Sequence, residues 1–312
     1  MPRQFELLIV GAGPAGIACA VQASRDGVDL LLVGDEAPGG LVRAAHRLDN
    51  LPGFPTGIGG DKFAALLAEH LAQRAIDFRR DRVVSCVVDA KGRFCCQTEA
   101  GEEFCARTLV LAAGTRPRPF PVPGFAAAVD QGRVHRDVRQ LAEDMSARQV
   151  AIVGGGEAAV DSALSVRRRG GDVLMYVRGR DLKSPRSLTA EARAAGVRFC
   201  FGWKLARIDG RNDHLALGWQ THEGQTTTTA DYLVACVGRE PRRELLAHLP
   251  LGRIEVLKVE TLLPGLFLAG DLIHEHDRFT ATALGDGQRA ARLAMKYLRR
   301  PAAQKQTSKR HD

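Results

Sequence analysis

Two glycine-rich turns hold the residue types best suited to chemistry in this chain. The first, Gly11-Ala12-Gly13-Pro14-Ala15-Gly16, follows the largely apolar run at residues 5–10. The second, Gly154-Gly155-Gly156-Glu157-Ala158-Ala159, follows Val150-Ala151-Ile152-Val153. Each breaks a β-forming run at glycine and passes into an alanine-rich stretch. In that setting the glycines permit a tight turn, close approach to a pyrophosphate and close helix packing. The helix start adds N–H groups and a positive dipole. Two such turns predict two dinucleotides in one chain, a flavin and a nicotinamide. The candidate contacts are Gly11, Gly13, Pro14, Ala15 and Gly16 in one turn, and Gly154, Gly156, Glu157, Ala158 and Ala159 in the other.

The strands that must follow each turn end in residues of opposite charge. After Leu30–Val33 come Asp35 and Glu36, either of which would accept hydrogen bonds from ribose hydroxyls. After Met175-Tyr176-Val177 come Arg178 and Arg180, where a site for NAD would place a carboxylate. A guanidinium is a planar fork of donors suited to a phosphate, so this end predicts the 2′-phosphate of NADP.

The elements needed to hold these turns are legible in outline. Strands are expected at 5–10, 29–33, 82–89, 92–98 and 108–114, with helices at 14–26 and 62–74. The proline-rich segment 116–124 fits neither a helix nor a central strand and predicts a domain crossing. Beyond it the pattern repeats, with a strand at 149–153, a helix at 157–169 and strands at 172–177, 197–208, 214–220 and 232–237. The chain leaves this unit near 242, and a strand at 265–269, Gly270-Asp271 and a helix at 283–299 complete the first unit. The predicted fold is therefore α/β, with one Rossmann-like domain inserted into another.

Composition narrows the class. With 312 residues, 45% hydrophobic and 26% charged, the chain suits two globular domains. It lacks a long uncharged apolar stretch, so no membrane span is expected. The first strand begins almost at the N-terminus, which predicts no signal peptide and a cytoplasmic protein. A net charge of +8 favours an acidic partner, such as a small electron carrier. Only 5% of residues are aromatic and no nucleic-acid module is visible, so nucleic acid is not an expected partner. The histidines show no ligand spacing with cysteines, and no metal site is predicted. Seven cysteines include no Cys-x-x-Cys and are expected to be mostly passive buried thiols.

From residue 4 to 299 the chain resembles the low-molecular-weight thioredoxin reductase family of flavoproteins. The resemblance rests on both glycine turns and on Gly39-Gly40-Leu41, Leu48-Asp49-Asn50-Leu51-Pro52-Gly53, Leu111-Ala112-Ala113-Gly114-Thr115, Cys236-Val237-Gly238-Arg239-Glu240-Pro241 and Leu266-Phe267-Leu268-Ala269-Gly270-Asp271. It implies a homodimer with an FAD domain at 1–116 and 243–300, an NAD(P) domain at 117–242, and a polar tail at 301–312. It further implies FAD contacts from Gly40, Leu41, Asn50, Ala113, Gly114, Gly270, Asp271, Phe279, Thr280 and Ala281.

The family's defining chemistry needs a Cys-x-x-Cys disulfide shortly before the second glycine turn. Here residues 132–141 contain no cysteine. The chain also has Leu41 and Phe279 where the family often has glutamine. The same scaffold without the cysteine pair resembles ferredoxin/flavodoxin–NADP reductases of the thioredoxin-reductase-like type, which share the segment Gly154–Asp161 and often carry a C-terminal extension over the flavin. Residues 300–312, with His311, are the segment available for that place, but the expected reading of 301–312 is a flexible polar tail. The expected activity is therefore electron transfer from NADPH through FAD to such a carrier. Two alternatives stay open: an atypical disulfide reductase using one thiol, with Cys19 as candidate, and an NADPH-independent flavoprotein or redox sensor, for which the adjacent Cys95-Cys96 would serve.

Overall fold

A computed structural model describes residues 3–211, 213–251 and 258–300. The tail at 301–312, and His311 with it, lies outside the described residues. In chain order the first unit opens with β1 (Arg3–Val10), α1 (Pro14–Ser24), β2 (Leu30–Gly34), α2 (Gly60–Gln73), β3 (Asp77–Arg80), β4 (Val83–Val88), β5 (Phe94–Thr98), β6 (Glu103–Leu111) and β7 (Thr115–Pro117). There follow α3 (Phe125–Asp130), β8 (Val134–His135), β9 (Gln149–Val153), α4 (Glu157–Arg168), β10 (Asp172–Val177), α5 (Arg186–Ala194), β11 (Arg198–Phe201), β12 (Lys204–Gly210), β13 (Leu215–Thr221), β14 (Gly224–Ala230) and β15 (Tyr232–Ala235). The chain returns through β16 (Arg239–Pro241) to β17 (Leu266–Leu268) and α6 (Thr280–Leu298). One unit comprises 1–43, 49–116 and 240–312, and the other 44–48 and 117–239.

The first unit is built on a seven-stranded sheet ordered β3-β2-β1-β6-β5-β4, with β17 also paired to β6. β1, β2, β3, β6 and β17 run parallel, while β4 and β5 are antiparallel additions. All five residues of β2 are buried, as a parallel strand covered on both faces requires. Pro14 opens α1, where its fixed φ suits the first turn and its missing N–H leaves no helical bond unmade. Alanines and glycines then let α1 lie close to α6. A Cβ at Gly287 would sit 2.0 Å from the Ala15 carbonyl oxygen, so only glycine allows that approach.

The second unit has a parallel sheet ordered β11-β10-β9-β15-β8 and an antiparallel sheet β12-β13-β14. Trp219 of β13 is fully buried, stacks on Tyr176 with ring centroids 3.9 Å apart, and donates its indole N–H to Thr228 Oγ1. The mixed α/β architecture agrees with the sequence reading, and several details differ from it. The strand expected at 197–208 is two strands, because Gly202 turns the chain at φ +77°. β3, β14, α3 and α5 were not expected, and α6 begins at Thr280 rather than 283.

Candidate functional site

In the first unit the chain leaves β1 at Val10 and must cross the end of β6 before entering α1. Gly11 does so at φ +111°, where a Cβ would lie 2.2 Å from the Ala112 carbonyl oxygen. A Cβ at Gly16 would lie 1.8 Å from the Gly11 oxygen, so the helix seats directly on the turn. Gly13 is different. It caps α1 with extended backbone and no side-chain cap, and a Cβ there would meet nothing within 4 Å. The start of α1 at Gly13 thus faces open space with first-turn N–H groups that have no intrahelical acceptor, while Pro14 is half-buried and Ala15 is buried. Gly40, at φ +57°, packs against the Cα of Gly13, and Leu41 continues into a 3-10 turn half-buried.

Beside this turn runs a cleft of about 140 Å³ lined by Gly11, Gly34, Asp35, Arg82, Val84 and Ala113, among others. Asp35 receives a hydrogen bond from Arg242 Nη1 at 2.8 Å, and both line the cleft. Glu36 is exposed and does not line it. Gly114, at φ +66°, accepts a backbone bond from Arg242. Arg82 and Arg242 escaped the sequence reading, since nothing local marks a residue 207 positions away as a partner of Asp35.

Asp271 lies in the short turn Gly270–Leu272 after β17, and Gly270 turns at φ +70° beside Ala15. Phe279 caps α6, 47% exposed, and Thr280 and Ala281 form the helix's first turn with no side-chain cap. Asn50 is exposed on the loop before Leu51. A further pair lies here that nothing local in the sequence brings together: Asp286 accepts from the Gly270 N–H at 3.2 Å and holds His274 Nε2 at 2.7 Å.

The second unit repeats the first turn's design. Gly154 crosses the end of β15 at φ +149°, where a Cβ would lie 2.4 Å from the Cys236 carbonyl oxygen. Gly156 caps α4 with extended backbone, and a Cβ there would again meet nothing within 4 Å. Glu157 and Ala158 are exposed in the first turn and Ala159 is buried against the core. Arg178 and Arg180 are exposed on the loop after β10, and Lys183 donates from its backbone to Gly155. Next to that loop, Ser184, Arg186, Thr189, Arg193 and Asp181 line a groove that the sequence reading did not identify, because the helix bearing the two arginines was not expected. Within this unit Asp161 of α4 accepts from the backbone N–H groups of His46 and Arg47, and Glu191 of α5 pairs with the Arg47 guanidinium at 2.6 Å. Burial and the neighbouring Arg168 hold the His46 imidazole below its usual range.

The two turns fit dinucleotides on one observation. At each, glycine is compulsory where the backbone crosses a neighbouring strand, and optional for folding where it faces open space at a helix start. The second position is where a pyrophosphate would approach.

The cysteines depart from expectation. Cys95 and Cys105 form a disulfide, which corrects for these two the reading of the cysteines as mostly passive thiols. Cys19 is fully enclosed and burial pushes its thiol far up, so it has no thiolate character to offer. Burial likewise raises the Cys236 thiol to about 11. The ligand atoms of Cys95, Glu103 and Cys105 lie within 4.8 Å of one another, with both sulfurs committed to their own bond. No helix among the described residues is long and apolar enough to cross a membrane.

The family described as Pyridine nucleotide-disulphide oxidoreductase matches residues 5–292. A 34.2 kDa protein in the rubredoxin operon of Clostridium pasteurianum is 26% identical over 309 residues, spanning 95% of this chain and 98% of that one. The thioredoxin reductase of Bacillus subtilis is 26% identical over 303 residues, spanning 94% of this chain and 95% of the relative. The fold is that of the Lactococcus lactis thioredoxin reductase, with a TM-score of 0.85, 24% identity, and coverage of 94% of this chain and 99% of that one.

Proposed function

From the premise that the chain belongs to the pyridine nucleotide-disulphide oxidoreductase family, we propose that it passes electrons from NADPH through FAD to a small acidic carrier protein. It is an FAD-dependent oxidoreductase of thioredoxin-reductase-like fold, with FAD and NADP as its cofactors. When bound, these two groups supply the hydride and electron transfer, and the protein's part is to hold and orient them. In the first unit the open start of α1 at Gly13 would take the FAD pyrophosphate. The cleft beside Asp35, Arg82 and Arg242 would take its adenosine end. Asp271 and the uncapped start of α6 would hold its flavin end. In the second unit the start of α4 at Gly156 would take the NADP pyrophosphate, and Arg178 and Arg180 its 2′-phosphate.

The carrier reading rests on the absence of a Cys-x-x-Cys anywhere in the sequence, together with a net charge of +8. Electrons leaving the flavin then lack the dithiol route of a thioredoxin reductase, and a basic protein steers an acidic partner. The name of the Clostridium relative, which refers to a rubredoxin operon, favours the same reading. The protein acts in the cytoplasm as a homodimer on this account. An atypical single-thiol disulfide reductase is the weaker reading, since Cys19 is sealed in the core.

The test is steady-state reduction of ferredoxin and flavodoxin by NADPH and by NADH. Turnover with NADPH well above that of free FAD is expected, and turnover no faster than free FAD would overturn the proposal. Arg178→Ala should raise the KM for NADPH about tenfold or more, because a hydrogen bond to a charged group contributes roughly 1.5–3 kcal/mol. The KM for NADH should barely move.

A further inference from the structure

Four of the seven cysteines are paired across three adjacent strands, in a part of the first unit that neither glycine turn uses. β5 carries Cys95 and Cys96 side by side, and alternation along a strand sends neighbours to opposite faces. On one face Cys95 lies directly across from Cys105 of β6, and the two sulfurs are bonded. On the other face Cys96 lies directly across from Cys86 of β4, with the Sγ atoms 2.6 Å apart. Cys86 and Cys96 are fully buried in the apolar core with Phe94 and Phe104.

The surroundings favour the bonded state. Asp89 Oδ2 lies 4.0 Å from the Cys95 sulfur and Glu103 Oε1 lies 3.9 Å from that of Cys105. A thiolate at either sulfur would face a carboxylate, whereas the disulfide carries no charge. Burial and the adjoining Cys86 push the Cys96 thiol well up, so the inner pair is also uncharged when reduced. β4 is the edge strand of its sheet, so local opening of the β4–β5 hairpin gives a reagent access without unfolding the unit.

We propose that β4, β5 and β6 form a two-disulfide redox site, in which Cys95–Cys105 and Cys86–Cys96 close and reopen by exchange with low-molecular-weight disulfides and dithiols. Closing a pair consumes one molecule of a disulfide RSSR. One cysteine thiolate attacks a reagent sulfur and releases the first thiol, and the second cysteine attacks the mixed disulfide and releases another. The protein loses two electrons and two protons, and both appear in two molecules of RSH. A dithiol reverses the sequence and leaves as its cyclic disulfide. Because cytosolic disulfides are usually transient or redox-sensing, a cytoplasmic protein would use such a site as a sensor rather than a permanent staple. β4 begins with Val83 and Val84, which line the cleft beside Asp35, so closing the inner pair also fixes one wall of that cleft.

The experiment is peptide mapping of the full-length, flavin-bound protein equilibrated with oxidised glutathione, alkylated in denaturant and cleaved with trypsin without reduction. The expected map joins the peptide Val83–Lys91 to Phe94–Arg107 through Cys86–Cys96, with the second peptide also closed internally by Cys95–Cys105. Only Cys19, Cys200 and Cys236 should be alkylated, and all seven cysteines after dithiothreitol. Both links should return on re-equilibration with oxidised glutathione. Alkylated Cys86 and Cys96 in the oxidised sample, a Cys86–Cys95 link, or links that fail to re-form would each overturn the proposal. The variant Cys86→Ser should retain the outer link and expose Cys96 to alkylation. A Cys95–Cys96 bond in that variant would count against it.

Discussion

At the residue scale the two glycine turns separate folding from binding. Gly11→Ala and Gly154→Ala place a Cβ 2.2 Å and 2.4 Å from backbone oxygens at positive φ, so both variants should misfold or lose stability by more than the roughly 1–3 kcal/mol of a strained φ alone. Gly13→Ala and Gly156→Ala meet no atom within 4 Å and have extended backbone that alanine adopts, so both should fold as the wild type does. Flavin retention should fall only in Gly13→Ala, and flavin reduction by NADPH only in Gly156→Ala; absorbance spectra of the purified variants check both. A second residue-scale consequence concerns acid. Burial lowers the pKa of His135 from its usual 6.5, so the unfolded chain binds that proton more readily than the folded one. Its contribution is fully present above pH 6.5 and is lost as pH falls from there towards the lowered folded value, and His46 acts in the same direction. The thermal midpoint should therefore drop on acidification below about pH 6.5, and less so in His135→Gln. An equal drop in wild type and variant would contradict this assignment.

At the element scale, close helix packing is the feature most exposed to test. Gly287→Ala drives a Cβ to 2.0 Å from the Ala15 oxygen and should cost about 1–3 kcal/mol, read as a lower thermal midpoint of the flavin-free protein. Trp219→Ala empties the stacked site against Tyr176 and should cost about 3–5 kcal/mol in the second unit. The elements legible in sequence were those whose residue types leave few choices. β1, β2 and β9 are buried apolar runs ending at glycine, and α1 and α4 follow glycines that only a strand–turn–helix crossing explains. β14 was missed because its Thr226–Thr229 run is mostly exposed, and α5 because its apolar face is only Leu188 and Ala192 among charged neighbours. The candidate site was readable where it is local, at the glycine spacing of the two turns. It was not where it depends on distant pairing: Arg242 reaches Asp35 only through the fold, and Cys95 meets Cys105 only through strand register.

At the scale of the whole molecule, the proposed function has one unit hold a flavin and the other a nicotinamide dinucleotide. The chain lacks the Cys-x-x-Cys through which a thioredoxin reductase passes its electrons on. The Cys95–Cys105 disulfide does not replace it on this account, since it is buried in the antiparallel strands of the first sheet and serves a separate exchange with small thiols. The most direct measurement is an anaerobic titration of the purified flavin-bound protein with NADPH, followed by flavin absorbance. The account predicts complete bleaching at one NADPH per flavin, since each nucleotide delivers one electron pair and no thiol pair shares it. Flavin that stays oxidised, or an end point at two equivalents, would contradict it.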